Sequence, residues 1–286
     1  MTYAEALHNG IDQLEQHFCS SGVAKQEAEA LLAKACELKK LNVGLKSKKE
    51  LTEQQLQNYR DLCQRRLEHE PLAYLIGDAP FLGRSFMVSN QTLIPRPATE
   101  LLVERVLMET PRNFAGVMVD VGTGSGCIAV SCALNRDKAK IVATDWSDTA
   151  INVATSNARA HGVEAQIEFV HTNCLDAVQI PWEKQVVVIA NLPYLPEGMW
   201  HTMSPDITLY EPRLALVSGA DGMDAYRALA TDLTEVVPPG AQMIMAWELL
   251  PEQVEMAKRL IGEALPWLTV EPIVNYQDVV IGVMAK

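Results

Sequence analysis

The sequence predicts an α/β fold: a doubly wound, mostly parallel sheet of about seven strands, preceded by a small all-helical domain. Three observations carry this expectation. From about residue 97, short apolar runs alternate with helical patterns, as parallel strands covered on both faces require. Two strands in direct succession near the C-terminus imply a hairpin, and hence one antiparallel strand. Residues 2 to about 70 read as helices throughout.

In that first region Tyr3, Leu7, Ile11, Leu14 and Phe18 recur at three- and four-residue steps and form one apolar stripe. A second helix carries Ala28, Leu31, Leu32, Ala35 and Leu38. Thr52 with Gln55 predicts a capping box before Leu56, Tyr59, Cys63 and Leu67. The charged face of this bundle, Lys25, Glu27, Glu29, Lys34, Glu37, Lys39 and Lys40, reads as a solvated face, with a docking surface as the competing reading. Pro71 is expected to end the helical region, and residues 72–95 look extended, with a hairpin over 81–88 turning at Gly83. Domain boundaries are therefore expected at 1–70 for the bundle, 71–96 for a linker with a hairpin, and 97–286 for the α/β domain. The strand-like runs are 117–121, 140–144, 166–170, 186–190 and 243–247, closed by a pair near 268–274 and 278–285.

Composition excludes several functions. With 286 residues and 48% hydrophobic content, the chain can bury a full core and carry a small extra domain. A formal charge of −12 leaves no basic surface to neutralise phosphates, which disfavours a nucleic-acid partner. The six cysteines, Cys19, Cys36, Cys63, Cys127, Cys132 and Cys174, lack zinc-ligand spacing and read as reduced core thiols, so no metal is expected. The N-terminus lacks the apolar run of a signal peptide, and no stretch approaches the length of a membrane span. A cytoplasmic chain that meets no membrane is expected, and a monomer.

The strongest chemical signal is Asp120-Val121-Gly122-Thr123-Gly124-Ser125-Gly126-Cys127, which follows an apolar strand and opens a helix. Such a turn lets backbone approach a ligand closely and leaves helix N–H groups facing it. The Gly122-x-Gly124-x-Gly126 spacing lacks the two-residue gap of the dinucleotide fingerprint, so S-adenosylmethionine fits better than NAD. A turn without a ligand is the competing reading. Nineteen residues after Gly126, Asp145 ends the second strand, where an acid can accept both ribose hydroxyls of an adenosine. A lone Asp is also an ordinary helix cap, and Asp148 competes for that role. The third signal is Asn191-Leu192-Pro193-Tyr194, at the end of the apolar run 186–190. Asn191 offers a side-chain carbonyl, and Pro193 disfavours the helical conformation at Leu192, so that the Leu192 carbonyl projects as a second acceptor. Two fixed acceptors can grip an –NH2 group, and Tyr194 can pack flat on a planar amide. A plain strand-ending turn fits the same four residues.

Together these segments resemble the HemK/PrmC protein-(glutamine-N5) methyltransferases. The resemblance runs through Pro71 to Gly77, Leu93 to Glu100, Asp120 to Ile128, Asn191 to Tyr194, Tyr210 to Leu216, Gly219 to Met223 and Trp247-Glu248, nearly the whole chain. It implies a class I methyltransferase fold, Rossmann-like and seven-stranded, with an N-terminal helical bundle that docks the substrate. It also implies that Gly122, Thr123, Gly124, Ser125 and Gly126 line an S-adenosylmethionine pocket, that Asp145 holds the ribose, and that Asn191 touches cofactor and substrate. S-adenosylhomocysteine is then the product. The implied substrate is the glutamine of the Gly-Gly-Gln loop of a peptide chain release factor, gripped by Asn191 and the carbonyl that follows it.

The chain departs from the family pattern at three places. Leu192 stands where the family has a first proline, Asn173 where it tends to carry an Asp, and Ala98 where an acid is usual. By alignment Cys174 takes the position beside the adenine. Two other functions fit parts of the pattern: an adenine-N6 or other nucleic-acid methyltransferase, whose flipped base would meet the same two acceptors, and a degenerate fold that binds without turnover.

Overall fold

The computed structural model describes residues 1–18, 21–39, 42–176 and 178–286. Cys19 and Lys40 lie outside the described residues, as does the side chain of Phe18. The chain divides into two compact units, Met1–Asp78 with Ser204–Tyr210, and Ala79–Met203 with Glu211–Lys286.

The first unit is helical. It holds α1 (Tyr3–Phe18), α2 (Ser21–Ala35), α3 (Glu53–Leu67) and α4 (Leu72–Ile76), joined by the short helix Pro205–Tyr210 from much later in the chain. The expected stripe supplies its core: Tyr3 and Leu14 are buried with Ala28, Leu31 and Leu32 of α2 and with Tyr59 and Cys63 of α3, while Leu7 and Ile11 pack at the margin. The capping box at the start of α3 forms as predicted, with Thr52 N–H donating to Gln55 Oε1 at 3.1 Å and Gln55 N–H to Thr52 Oγ1 at 3.2 Å. Not all of the charged face of α2 is solvated. Arg66, with 8% of its side chain exposed, donates to both carboxylate oxygens of Glu27 and to Asp206. An ion pair this buried needs that many partners to offset its desolvation.

Residues 72–76 correct the expectation of an extended segment. Pro71 does not end the helical region; it sits immediately before the first turn of α4, where its missing N–H costs nothing. Gly77, at φ 90°, closes that helix, and Leu75 is buried in the bundle core.

The second unit, from Ala79 on, opens on a hairpin of strands β1 (Asp78–Phe81, its first residue counted in the first unit) and β2 (Arg84–Met87). Their two-residue turn has both Leu82 and Gly83 at positive φ, the geometry that matches strand twist. Phe81 and Phe86 meet edge to face, with ring centroids 5.9 Å apart. The elements that follow are α5 (Pro97–Glu109), β3 (Val117–Val121), α6 (Cys127–Asn135), β4 (Lys140–Asp145), α7 (Asp148–Ala160), β5 (Ile167–His171), β6 (Val186–Ala190), α8 (the helix Pro205–Tyr210 of the first unit), α9 (Asp224–Val236), β7 (Met243–Glu248), α10 (Val254–Ala264), β8 (Val270–Val274) and β9 (Val280–Ala285). The predicted strands appear with ends shifted by at most two residues.

The seven-stranded sheet runs in the order β5-β4-β3-β6-β7-β9-β8, and β9 is antiparallel to both of its neighbours. Every residue of β3, β6 and β7 is buried because both faces are covered. Alternate residues feed the two layers. Met118, Val187, Ile189 and Ile244 pack with α5 and α6, whereas Val119, Val188, Met245 and Trp247 pack with α9 and α10. Strand order reverses between β3 and β6, and the crevice at their carboxyl ends is where open α/β sheets present ligands. Five described cysteines are buried and unpaired. No helix among the described residues is long and apolar enough to cross a membrane.

Candidate active site

Register alone brings the site together. Val121 lies opposite Thr144 and Ala190, and Ala190 opposite Trp247, so four adjacent strands end level. The next residue along each is Asp145 on β4, Gly122 after β3, Asn191 after β6 and Glu248 on β7. Three of these were expected from sequence. The sequence motifs assign Glu248 no role.

These ends border a cavity of about 430 Å3, within the ordinary range for small-molecule sites. Gly122, Thr123, Gly124, Ser125, Asp145 and Cys174 line it, together with Asn191, Leu192 and Pro193. Gly126 and Tyr194, also singled out from sequence, do not. Gly126 precedes α6 at φ 80°, where a Cβ would come within 2.9 Å of Ala154, so the close packing at the helix start requires glycine. Gly122 lies beneath the Leu192 side chain, with a hypothetical Cβ 2.8 Å from Leu192 Cδ2.

The glycine turn is held from two sides. Thr144 O accepts from Gly122 N–H at 2.9 Å and Thr123 N–H at 2.8 Å. Beneath it, Asp120 Oδ2 accepts from the Thr123 hydroxyl at 2.6 Å and from Ala129 N–H at 3.0 Å. Burial pushes the Asp120 carboxyl up to about 7, against the pull of those two bonds. Asp145 is buried at the edge of the cavity, and its carboxyl is raised by burial. Its Oδ2 accepts from Gly124 N–H and its Oδ1 from Ser147 N–H, both at 2.9 Å. Neither Asp145 nor Asp148 caps α7: the N-cap is Ser147, whose hydroxyl accepts from Ala150 N–H. That leaves Asp145 facing the glycine turn.

Cys174 takes up φ 45° and is buried beside Asn173. Burial, with Asp232 and Asp176 nearby, pushes its thiol up to about 12, so it is a protonated contact surface and no nucleophile.

Around Asn191 the polar contacts form a wire. Asn191 Nδ2 donates to Thr99 Oγ1 at 2.9 Å, and the Thr99 hydroxyl donates to Glu248 Oε2 at 2.7 Å. The Tyr194 hydroxyl donates to the other oxygen, Glu248 Oε1, at 3.0 Å. Tyr194 thereby braces Glu248. Among the described residues none donates to Asn191 Oδ1 or to the Leu192 carbonyl. Thr99 lines the cavity, and Glu248 is 1% exposed. Burial pushes the Glu248 carboxyl up to about 7, with the Thr99 and Tyr194 bonds and Arg96 pulling it down. The signal that could have found Glu248 is a charged residue directly after the apolar run Met243 to Trp247, since a strand buried on both faces admits a carboxylate only with partners.

Comparison with known proteins agrees with this geometry. The profile described as the PrmC N-terminal domain matches residues 5–77, and the one described as the methyltransferase small domain matches residues 94–203. The fold is similar to that of the hMettl16 catalytic domain in complex with a MAT2A 3'UTR hairpin, with a TM-score of 0.55 at 14% identity over 71% of this chain and 74% of that one. Sheet order, glycine turn and domain match define a class I methyltransferase. Release factor glutamine methyltransferases are similar along nearly the full length: that of Bacillus cereus is 34% identical, covering 90% of this chain and 92% of its own. The Chlorobaculum tepidum protein is 34% identical over 91% and 90% of the two chains, and that of Neisseria gonorrhoeae 37% identical over 79% and 81%. The chain belongs to the release factor glutamine methyltransferase family.

Proposed function

We propose that the chain transfers a methyl group from S-adenosylmethionine to the side-chain N5 of a glutamine in a peptide chain release factor, the Gly-Gly-Gln glutamine. The observation that carries this reading is the open pair of acceptors at Asn191 and Leu192, on a strand end level with Asp145 and the glycine turn.

The residues present fit the methyl donor. Space is open above Gly124, the Gly124 and Ser147 N–H groups aim the Asp145 carboxylate, and each of its oxygens keeps a lone pair for a ribose hydroxyl. Cys174 and Asn173 lie on the same cavity wall, where the adenine is proposed to lie. When bound, the donor supplies an electrophilic methyl on a cationic sulfur. The chain's own task is orientation. An amide nitrogen is a poor nucleophile because its lone pair is delocalised, so holding it in line with the methyl accounts for much of the rate. Asn191 Oδ1 accepts one N–H and the Leu192 carbonyl the other. Both bonds strengthen as positive charge develops on the nitrogen, and that difference between ground and transition state is what accelerates the step. The amide proton then leaves to solvent.

Leu192 supplies a backbone acceptor, but its side chain also covers Gly122, and its N–H donates weakly to the Tyr226 hydroxyl at 3.4 Å. Leu192→Pro is therefore expected to keep kcat within about threefold while lowering stability by about 1–2 kcal/mol, from lost packing and a lost donor. Steady-state kinetics and a denaturant titration check both halves. A loss of more than about tenfold in kcat would assign the side chain a direct part in the site.

The chemistry of the acceptor class is tested by incubating the protein with methyl-labelled S-adenosylmethionine and separate release factor, tRNA and DNA fractions. Label in the release factor alone is the expected result. Label in nucleic acid would replace the glutamine reading with a flipped adenine.

A further inference from the structure

An amide side chain presents an acceptor or a donor depending on which way round it stands, and only one of the two orientations of Asn191 can grip an –NH2 group. We propose that Glu248 and Thr99 are positioning residues that set this orientation, so that Asn191 turns its carbonyl oxygen, and never its NH2, toward the incoming nitrogen. The proposal rests on the reading of Asn191 as the substrate's acceptor.

The hydrogens along the wire fix its polarity. An ionised carboxylate only accepts, so the single hydroxyl hydrogen of Thr99 is committed to Glu248 Oε2, 2.7 Å away. Thr99 Oγ1 then has only lone pairs to offer Asn191, which must meet it with Nδ2, as the 2.9 Å bond has it. Oδ1 is left for the cavity. The other end of the wire is fixed as well: the Tyr194 hydroxyl donates to Glu248 Oε1, and the Tyr226 hydroxyl donates to the backbone carbonyl of Glu248 while lying 3.3 Å from that of Ala190, between the ends of β7 and β6. A charge buried behind the site thus dictates the polarity of a neutral group inside it.

Protonation reverses the wire. A neutral Glu248 can donate to Thr99 Oγ1, which releases the Thr99 hydroxyl hydrogen toward Asn191 and lets the amide turn over. Burial brings this event into the neutral range, with the Glu248 carboxyl at about 7. The groups that face it are Arg96 just before α5, Cys127 of α6, Tyr194 after β6, and Tyr226 of α9; among these Arg96 is the cation that favours the ionised form. Because the value is raised, the gripping orientation holds above about pH 7 and is lost as pH falls through it.

The test uses the full chain labelled with 15N at asparagine. The Asn191 side-chain amide signal, identified by its absence in Asn191→Asp, is followed between about pH 5.5 and about pH 8.5 without substrate. It is expected to shift with a midpoint near 7 in the parent protein and in Thr99→Ser, and to lose that transition in Thr99→Val. With S-adenosylmethionine and a release factor, Thr99→Val should lower kcat/KM about tenfold above pH 8, leave calorimetric affinity for S-adenosylmethionine within about twofold, and lose the acidic limb of the pH profile. Thr99→Ser should recover to within about threefold. Glu248→Gln, whose amide can donate or accept, should flatten the same profile. Parent-like kcat/KM and pH profile in Thr99→Val, or an Asn191 signal that titrates identically with and without the Thr99 hydroxyl, would overturn the proposal. Failure of the underlying grip is separate: it shows as activity retained in Asn191→Ala.

Discussion

Replacing Asn191 with Ala is expected to cut kcat by about a hundred- to a thousand-fold while the protein stays folded and binds S-adenosylmethionine with little change. The size follows from what is removed. In the proposed grip Asn191 Oδ1 is one of two acceptors, and groups aimed at developing charge are each worth that much when deleted. Stability should move little. The side chain is only partly buried, its one internal bond is to Thr99, and the Thr99 hydroxyl keeps its stronger bond to Glu248. The discriminating readout is kcat against KM in single-turnover and steady-state kinetics. A variant that loses affinity for the release factor but keeps its chemical rate would make Asn191 a docking residue with no part in the transition state.

Asp145→Ala should weaken S-adenosylmethionine binding about a hundred-fold, read by calorimetry. Two effects add. In the proposed pose the ribose loses its bonding to a charged acceptor, worth about 1.5–3 kcal/mol net of exchange with water. The glycine turn also loses a brace, since Asp145 Oδ2 accepts from Gly124 N–H, and its partner oxygen holds Ser147 at the start of α7. Asp145→Asn keeps the shape and an acceptor but loses the charge, so it should fall between the parent and Ala. An unchanged affinity in the Ala variant would remove Asp145 from the pocket.

How far the sequence could be read depended on whether a pattern was local. The strands were legible because each is a short apolar run between helices, and the C-terminal hairpin because two such runs follow one another; β9 is antiparallel as expected. The crevice was legible for the same reason: a glycine turn, an acid and an Asn-Leu-Pro-Tyr segment each sit at the end of a run, and register makes those ends level. Three features needed packing to be seen. Pro71 serves as a helix start because Leu75 has a bundle core to enter, which the local sequence does not record. The Tyr194 hydroxyl lies on Glu248, a bond that only packing reveals, since a buried carboxylate needs a second donor. Thr99 and Asn191 are far apart in the chain and meet only because α5 packs across the end of the sheet, so their bond left no periodic trace.

The central claim is that this site methylates a release factor glutamine. Its most direct test is peptide mass spectrometry of a release factor incubated with the protein and S-adenosylmethionine. One added methyl group is expected, located by fragmentation on the glutamine of the Gly-Gly-Gln loop, and none when Asn191→Ala replaces the parent protein. An unmodified glutamine, with S-adenosylmethionine shown by calorimetry to bind the same preparation, would contradict it.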